Sequence, residues 1–174
     1  MSKNTKFRPG DHVVYPAHGV GQIKSIQKQE IAGEKLEFLV VEFEKERMTL
    51  RIPTTKVDSA GLRSLSTKKD MQAAMKTLAG KVRVRRAMWS RRAQEYEAKI
   101  NSGNPVSIAE VVRDLYRNAD QPDQSYSERQ IYQSALERLT RELAVVEKID
   151  EDAAEKKVVA QLRNATPPPA TEAA

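Results

Sequence analysis

The sequence predicts two domains of different class: a small all-β, Tudor-like or SH3-like barrel, followed by an all-α bundle of about five helices. Two observations carry this expectation. Up to about residue 62, short β-branched and apolar runs alternate with turn signals; beyond Gly61 the apolar spacing changes to the helical period and three capping-box patterns appear. The expected division is 1–62 for the β domain, 63–164 for the helical domain and 165–174 for a disordered tail.

The β runs are His12 to Tyr15, Val20 to Ile26, Leu36 to Phe43 and Met48 to Ile52, separated by Pro16-Ala-His-Gly19, Gly33-Glu34 and Lys45-Glu46. Leu36-Glu-Phe-Leu-Val-Val-Glu-Phe43 is apolar enough for a central strand, whereas Thr49, Arg51 and Pro53 mark the next run as more exposed. Capping boxes at Thr67 to Asp70, Ser107 to Glu110 and Ser125 to Glu128 each precede an apolar stripe and predict three helix starts. A further helix runs from about Met88 to Ile100, stopped by Asn101-Ser-Gly-Asn-Pro105, and a last one begins near Asp150. The Pro-rich, apolar-poor end after Thr166 cannot build a core.

Composition narrows the function classes. There is no cysteine among the 174 residues, which excludes disulfides, thiolate metal sites and thiol nucleophiles and points to a reducing compartment. No apolar run approaches the roughly 18 residues that cross a bilayer, so a cytoplasmic protein without membrane contact is expected. The net charge of +6 is unevenly placed: residues 1–63 carry 11 Lys/Arg against 8 Asp/Glu, 64–118 carry 12 against 5, and 119–174 carry 7 against 11. Lys81, Arg83, Arg85, Arg86, Arg91 and Arg92 fall within 12 residues that contain no acidic residue, a pattern that favours a polyanionic partner.

The single tryptophan, Trp89, lies inside that cationic stretch. Guanidinium groups neutralise phosphates and release counterions, and an apolar wedge can enter a base step. Trp89 also shares a helical stripe with Ala93, Tyr96 and Ile100, so its position fits a core residue equally well. Other chemistry lacks a constellation. His12 and His18 with Asp11 are too few for a metal site, Gly19-Val-Gly21 is no phosphate loop, and the serines have no base partner, so neither an enzyme nor a cofactor is expected.

Four segments in order, Phe7-Arg-Pro-Gly-Asp-His-Val-Val-Tyr-Pro-Ala-His-Gly-Val-Gly-Gln-Ile23, Thr49-Leu-Arg-Ile-Pro53, Trp89-Ser-Arg-Arg92 and Ala109-Glu-Val-Val-Arg-Asp-Leu-Tyr-Arg117, closely resemble the CarD/CdnL family of bacterial transcription regulators. The resemblance spans roughly residues 7 to 163. It implies a Tudor-like domain that docks on the RNA polymerase β subunit and a helical domain that touches promoter DNA at the upstream edge of the bubble, with no enzymatic activity. Trp89 would be a minor-groove wedge that slows bubble collapse, with Arg91 and Arg92 as phosphate contacts. Arg51 would meet the polymerase, with Lys28, Gln29 and Ile31 on the neighbouring strand. Gln29 replaces a basic residue of some relatives and Gln94 a lysine, while the connector Arg83, Arg85 and Arg86 is unusually cationic and could compensate on the DNA side.

The implied mechanism is differential binding: a tethered factor that contacts melted promoter better than closed promoter shifts that equilibrium without ATP. Two other readings fit the charge pattern, a free-standing nucleoid or DNA-binding protein and a pure protein adaptor with Trp89 buried. No long heptad or broad apolar face calls for a dimer, so a monomer is expected.

Overall fold

The computed structural model describes residues 7–82, 87–117 and 124–165. It divides into two compact units, 1–65 and 66–174, each with its own apolar core. The first is all-β and the second holds five helices, the fold class read from the sequence.

The β unit contains β1 (His12–Tyr15), β2 (Gly19–Ile31), β3 (Glu34–Phe43), β4 (Met48–Pro53) and β5 (Arg63–Ser64), with a 3-10 turn over Thr54–Lys56. Its strands are ordered β4-β3-β2-β1-β5, all neighbours antiparallel. The inward face supplies Val13, Ile23, Leu39, Val41, Phe43 and Ile52, closed by Phe7, Val57 and Leu62. Gly21 belongs to this core for a steric reason. A Cβ there would stand 2.8 Å from both Phe43 Cε1 and Val41 Cγ1, so the glycine of the Gly19-Val-Gly21 segment is a packing requirement.

Three expectations shift. β2 runs five residues past Ile26, because Gln27 to Ile31 are held by backbone pairing with Glu34 to Phe38 and need no burial. The turn is Ala32-Gly33, both at positive φ, while Glu34 is already in β3. The composition break at residue 62 precedes the end of the unit, since Val13 and Val14 of β1 pair with Ser64 and Arg63.

The helical unit contains α1 (Lys68–Leu78), α2 (Trp89–Asn101), α3 (Pro105–Leu115), α4 (Tyr126–Glu147) and α5 (Glu151–Leu162). Thr67, Ser125 and Asp150 cap α1, α4 and α5 by accepting the N–H groups of Asp70, Glu128 and Ala153. For α3 the expected start at Ser107 is corrected. Asn104 caps it, accepting from Val106 and Ser107 N–H, with Pro105 as the first helical residue. The last two residues of the Asn101–Pro105 segment read as a stop for α2 therefore also start α3. α3 lies at the centre of the bundle, burying Ile108, Ala109, Val111, Val112 and Leu115 against stripes from the other helices.

Candidate nucleic-acid interface and docking face

Chain alternation in the paired strands sorts the candidate docking residues. Ser25 pairs with Val40 and Val40 with Arg51; Gln29 pairs with Leu36 and Ile31 with Glu34. Directly opposed residues share a face, so Gln29, Ile31 and Arg51 lie on the outer face of the sheet. Lys28, paired with Glu37, faces the opposite way. The structure thus brings together three of the four residues and separates Lys28 from them.

That outer face also carries Leu36, Phe38 and Val40 of β3, an apolar stripe flanked by Gln27 and Arg51. Leu36 and Phe38 are half-buried, and Ile31 is 50% exposed. β4, which bears the exposed Arg51, is an edge strand with β3 as its only sheet neighbour among the described residues. A sheet edge beside an apolar strip, carrying a guanidinium, suits an extended protein segment.

The second site is the first turn of α2. Its N-cap, Met88, provides no side-chain hydrogen bond and is 79% exposed, and no acidic residue lies in the first turn. The N–H groups left open there add positive potential to Arg91 and Arg92. Sequence periodicity did not single out Met88, although an exposed apolar residue beside Trp89 has the chemistry of a second wedge. Trp89 itself is half-buried and packs against the helical core, its ring centroid 6.3 Å from that of Tyr96. It is neither a sealed core residue nor a free side chain. Arg91 is exposed, whereas Arg92 is partly buried over the two rings. Arg83, Arg85 and Arg86 lie outside the described residues.

The C-terminal end of α2 is firmly held, which makes the helix a rigid mount for its first turn. Lys99 Nζ meets Glu110 Oε2 of α3 at 2.7 Å, and Arg138 Nη1 of α4 donates to Ile100 O at 3.3 Å. Tyr96 and Ile100 bury the inner face.

The histidines are apart in role. His18 Nδ1 lies 3.1 Å from Glu46 Oε2 and its ring stacks on Tyr15 at 5.5 Å, whereas His12 is an exposed residue opposite Gln22. Among the described residues no group of three His, Asp or Glu could hold a metal ion, and no helix is long and apolar enough to cross a membrane.

Comparison with known proteins matches both units. The family model for the CarD-like/TRCF RID domain covers residues 7–66, and that for the CarD C-terminal domain covers 73–159. YdeB of Bacillus subtilis (strain 168), provisionally named a transcription factor, is 33% identical over 145 residues, covering 83% of this chain and 95% of its own. The chain belongs to the CarD family of transcription factors. The first match ends at residue 66, one residue past the division of the two compact units, and the second lies within the helical unit. A solution structure of the 72-residue N-terminal domain of Myxococcus xanthus CarD is 35% identical, covers 36% of this chain and 84% of that domain, and has a TM-score of 0.30. Membership in the CarD family gives the chain a transcription-associated role linked to RNA polymerase.

Proposed function

We propose that this CarD-family protein docks through its β unit on the RNA polymerase β subunit and uses the start of α2 to stabilise the open promoter complex. Family membership supports the polymerase partner. The observation that carries the DNA role is the pairing of a half-buried tryptophan with an exposed arginine and an uncapped, acid-free helix start on a rigidly held helix. Trp89, with Met88 beside it, is the wedge at the upstream edge of the bubble. Arg91 contacts a backbone phosphate, and Arg83, Arg85 and Arg86 supply further positive charge in the sequence just before α2.

On the polymerase side, Arg51, Gln29 and Ile31 on one outer face form the contact, with the β4 edge free to pair with a strand of the partner. Docking raises the local concentration of α2 at the promoter, so weak intrinsic DNA affinity suffices. If the α2 contacts favour the open state by about 1.4 kcal/mol, the open-to-closed ratio rises about tenfold.

The deciding experiment is the lifetime of open promoter complexes formed by the matching RNA polymerase holoenzyme, with and without the protein, repeated with Trp89→Ala. A lifetime lengthened by wild type and much less by the variant supports the reading. An unchanged lifetime despite measured polymerase binding would make the protein an adaptor. Tight duplex binding without polymerase, with a steep salt slope, would make it a free-standing DNA binder.

A further inference from the structure

Arg92 is one helical turn from Trp89 and another from Tyr96, and its guanidinium lies beside both rings, whose centroids are themselves 6.3 Å apart. Its Cζ is 5.5 Å from the Trp89 ring centroid and 5.8 Å from that of Tyr96, within the range of cation–π attraction. One terminal nitrogen, Nη2, donates to the Tyr96 hydroxyl at 3.3 Å. Its Nε is buried and has no hydrogen-bond partner among the described residues. The guanidinium is thus partly withdrawn from water and committed to two aromatic faces. Arg91, the preceding residue, is exposed to solvent instead. Two adjacent arginines with the same formal charge therefore occupy different environments.

A wedge must arrive in a single orientation, because fixing a mobile aromatic side chain at the moment of binding subtracts from the affinity it supplies. Trp89 is the first residue of α2, so no preceding helical turn restrains it. Beside its packing against the helical core, the ring has Tyr96 and Arg92 of its own helix as aromatic and cationic neighbours. We infer that Arg92 is a positioning residue: it holds the Trp89 indole in a fixed orientation within a three-way Trp89, Arg92 and Tyr96 cluster and does not itself contact a phosphate. The assignment depends on a planar, delocalised cation, so lysine cannot replace it. It deepens the wedge reading of Trp89 and rests on it for its consequence in transcription, but the cluster can be tested without polymerase or DNA.

Trp89 is the single tryptophan of the chain, so intrinsic fluorescence of the full-length protein reports on this ring alone. Acrylamide quenching and time-resolved anisotropy would be measured for wild type, Arg92→Lys, Arg92→Ala and Arg91→Gln, with far-UV circular dichroism confirming that each is folded. The expected result is easier quenching and faster local depolarisation in both Arg92 variants and no change in Arg91→Gln. Open-complex lifetimes against salt form the second arm. Arg91→Gln lowers the salt slope by about one. Arg92→Lys leaves the slope unchanged and shortens the lifetime about fivefold at every salt concentration, the size of one lost cation–π contact.

Unchanged quenching and anisotropy in both Arg92 variants would overturn the positioning role. So would an Arg92→Lys protein with wild-type fluorescence and lifetime, since any cation would then serve. If wild type fails to lengthen open complexes while the fluorescence of the Arg92 variants still changes, the cluster stands and the wedge function fails.

Discussion

Glu142 of α4 accepts a hydrogen bond from the Ser66 N–H at 2.9 Å, joining the first residue of the helical unit to a helix 76 positions away. The carboxylate is only 3% exposed. Removing the acceptor loses this part-buried hydrogen bond, which costs about 0.5–1.5 kcal/mol. Glu142→Ala is expected to lower the stability of the helical unit by that amount. Amide hydrogen exchange should show faster opening of α1 while β2 and β3 keep their protection.

Arg51→Glu places a carboxylate on the outer face that carries Gln29 and Ile31. The expected outcome is at least a tenfold loss of affinity for the matching polymerase, with an unchanged melting curve because Arg51 is exposed. Lys28→Glu, on the opposite face, should weaken binding far less. Titration of purified polymerase with each variant checks both statements, and equal losses would refute the facial assignment.

Gly21→Ala tests the β core. The added methyl meets two inward side chains at 2.8 Å, Phe43 and Val41, which must shift. A destabilisation of about 1–3 kcal/mol is expected from overpacking. Polymerase binding would fall with it, while Trp89 fluorescence in the other unit stays as in wild type.

Tyr132, buried in α4 beside Tyr116, has its pKa pushed up to about 12, first by burial and then by the neighbouring Tyr116 and Glu155. The folded protein therefore holds this proton more tightly than the unfolded chain, whose tyrosines titrate near 10. The stabilisation is complete below about pH 10 and is lost as pH rises towards about 12. A shift of this size corresponds to roughly 2–3 kcal/mol. Tyr132→Phe should flatten the alkaline limb of a stability-versus-pH curve, and a curve identical to wild type would count against it.

Much of this architecture is legible in local chemistry. Thr67, Ser125 and Asp150 announce their helices because a cap is satisfied within three residues. The start of α3 was obscured because Asn104-Pro105 is both the break after one helix and the first turn of the next. The polar arm of β2 lacks the apolar alternation that reveals a strand, since its stability lies in the ladder to β3. The separation of Lys28 from Gln29 and Ile31 could have been read from strand alternation alone. The spacing Trp89, Arg92, Tyr96 likewise places all three on one helix face, but that the arginine packs against both rings instead of reaching into solvent depends on the packed structure.

The β2–β3 arm extends beyond both neighbouring strands: β1 pairs with β2 only as far as Gln22, and β4 with β3 only to Phe38. Such open backbone would recruit any extended chain, including nascent copies of the same protein emerging before their helical units are made. The arm resists this through Lys28 opposite Glu37 and Glu30 opposite Lys35, charges that an accreting apolar strand would have to desolvate. Neutralising those four residues should leave a protein that folds normally when dilute and precipitates during overexpression.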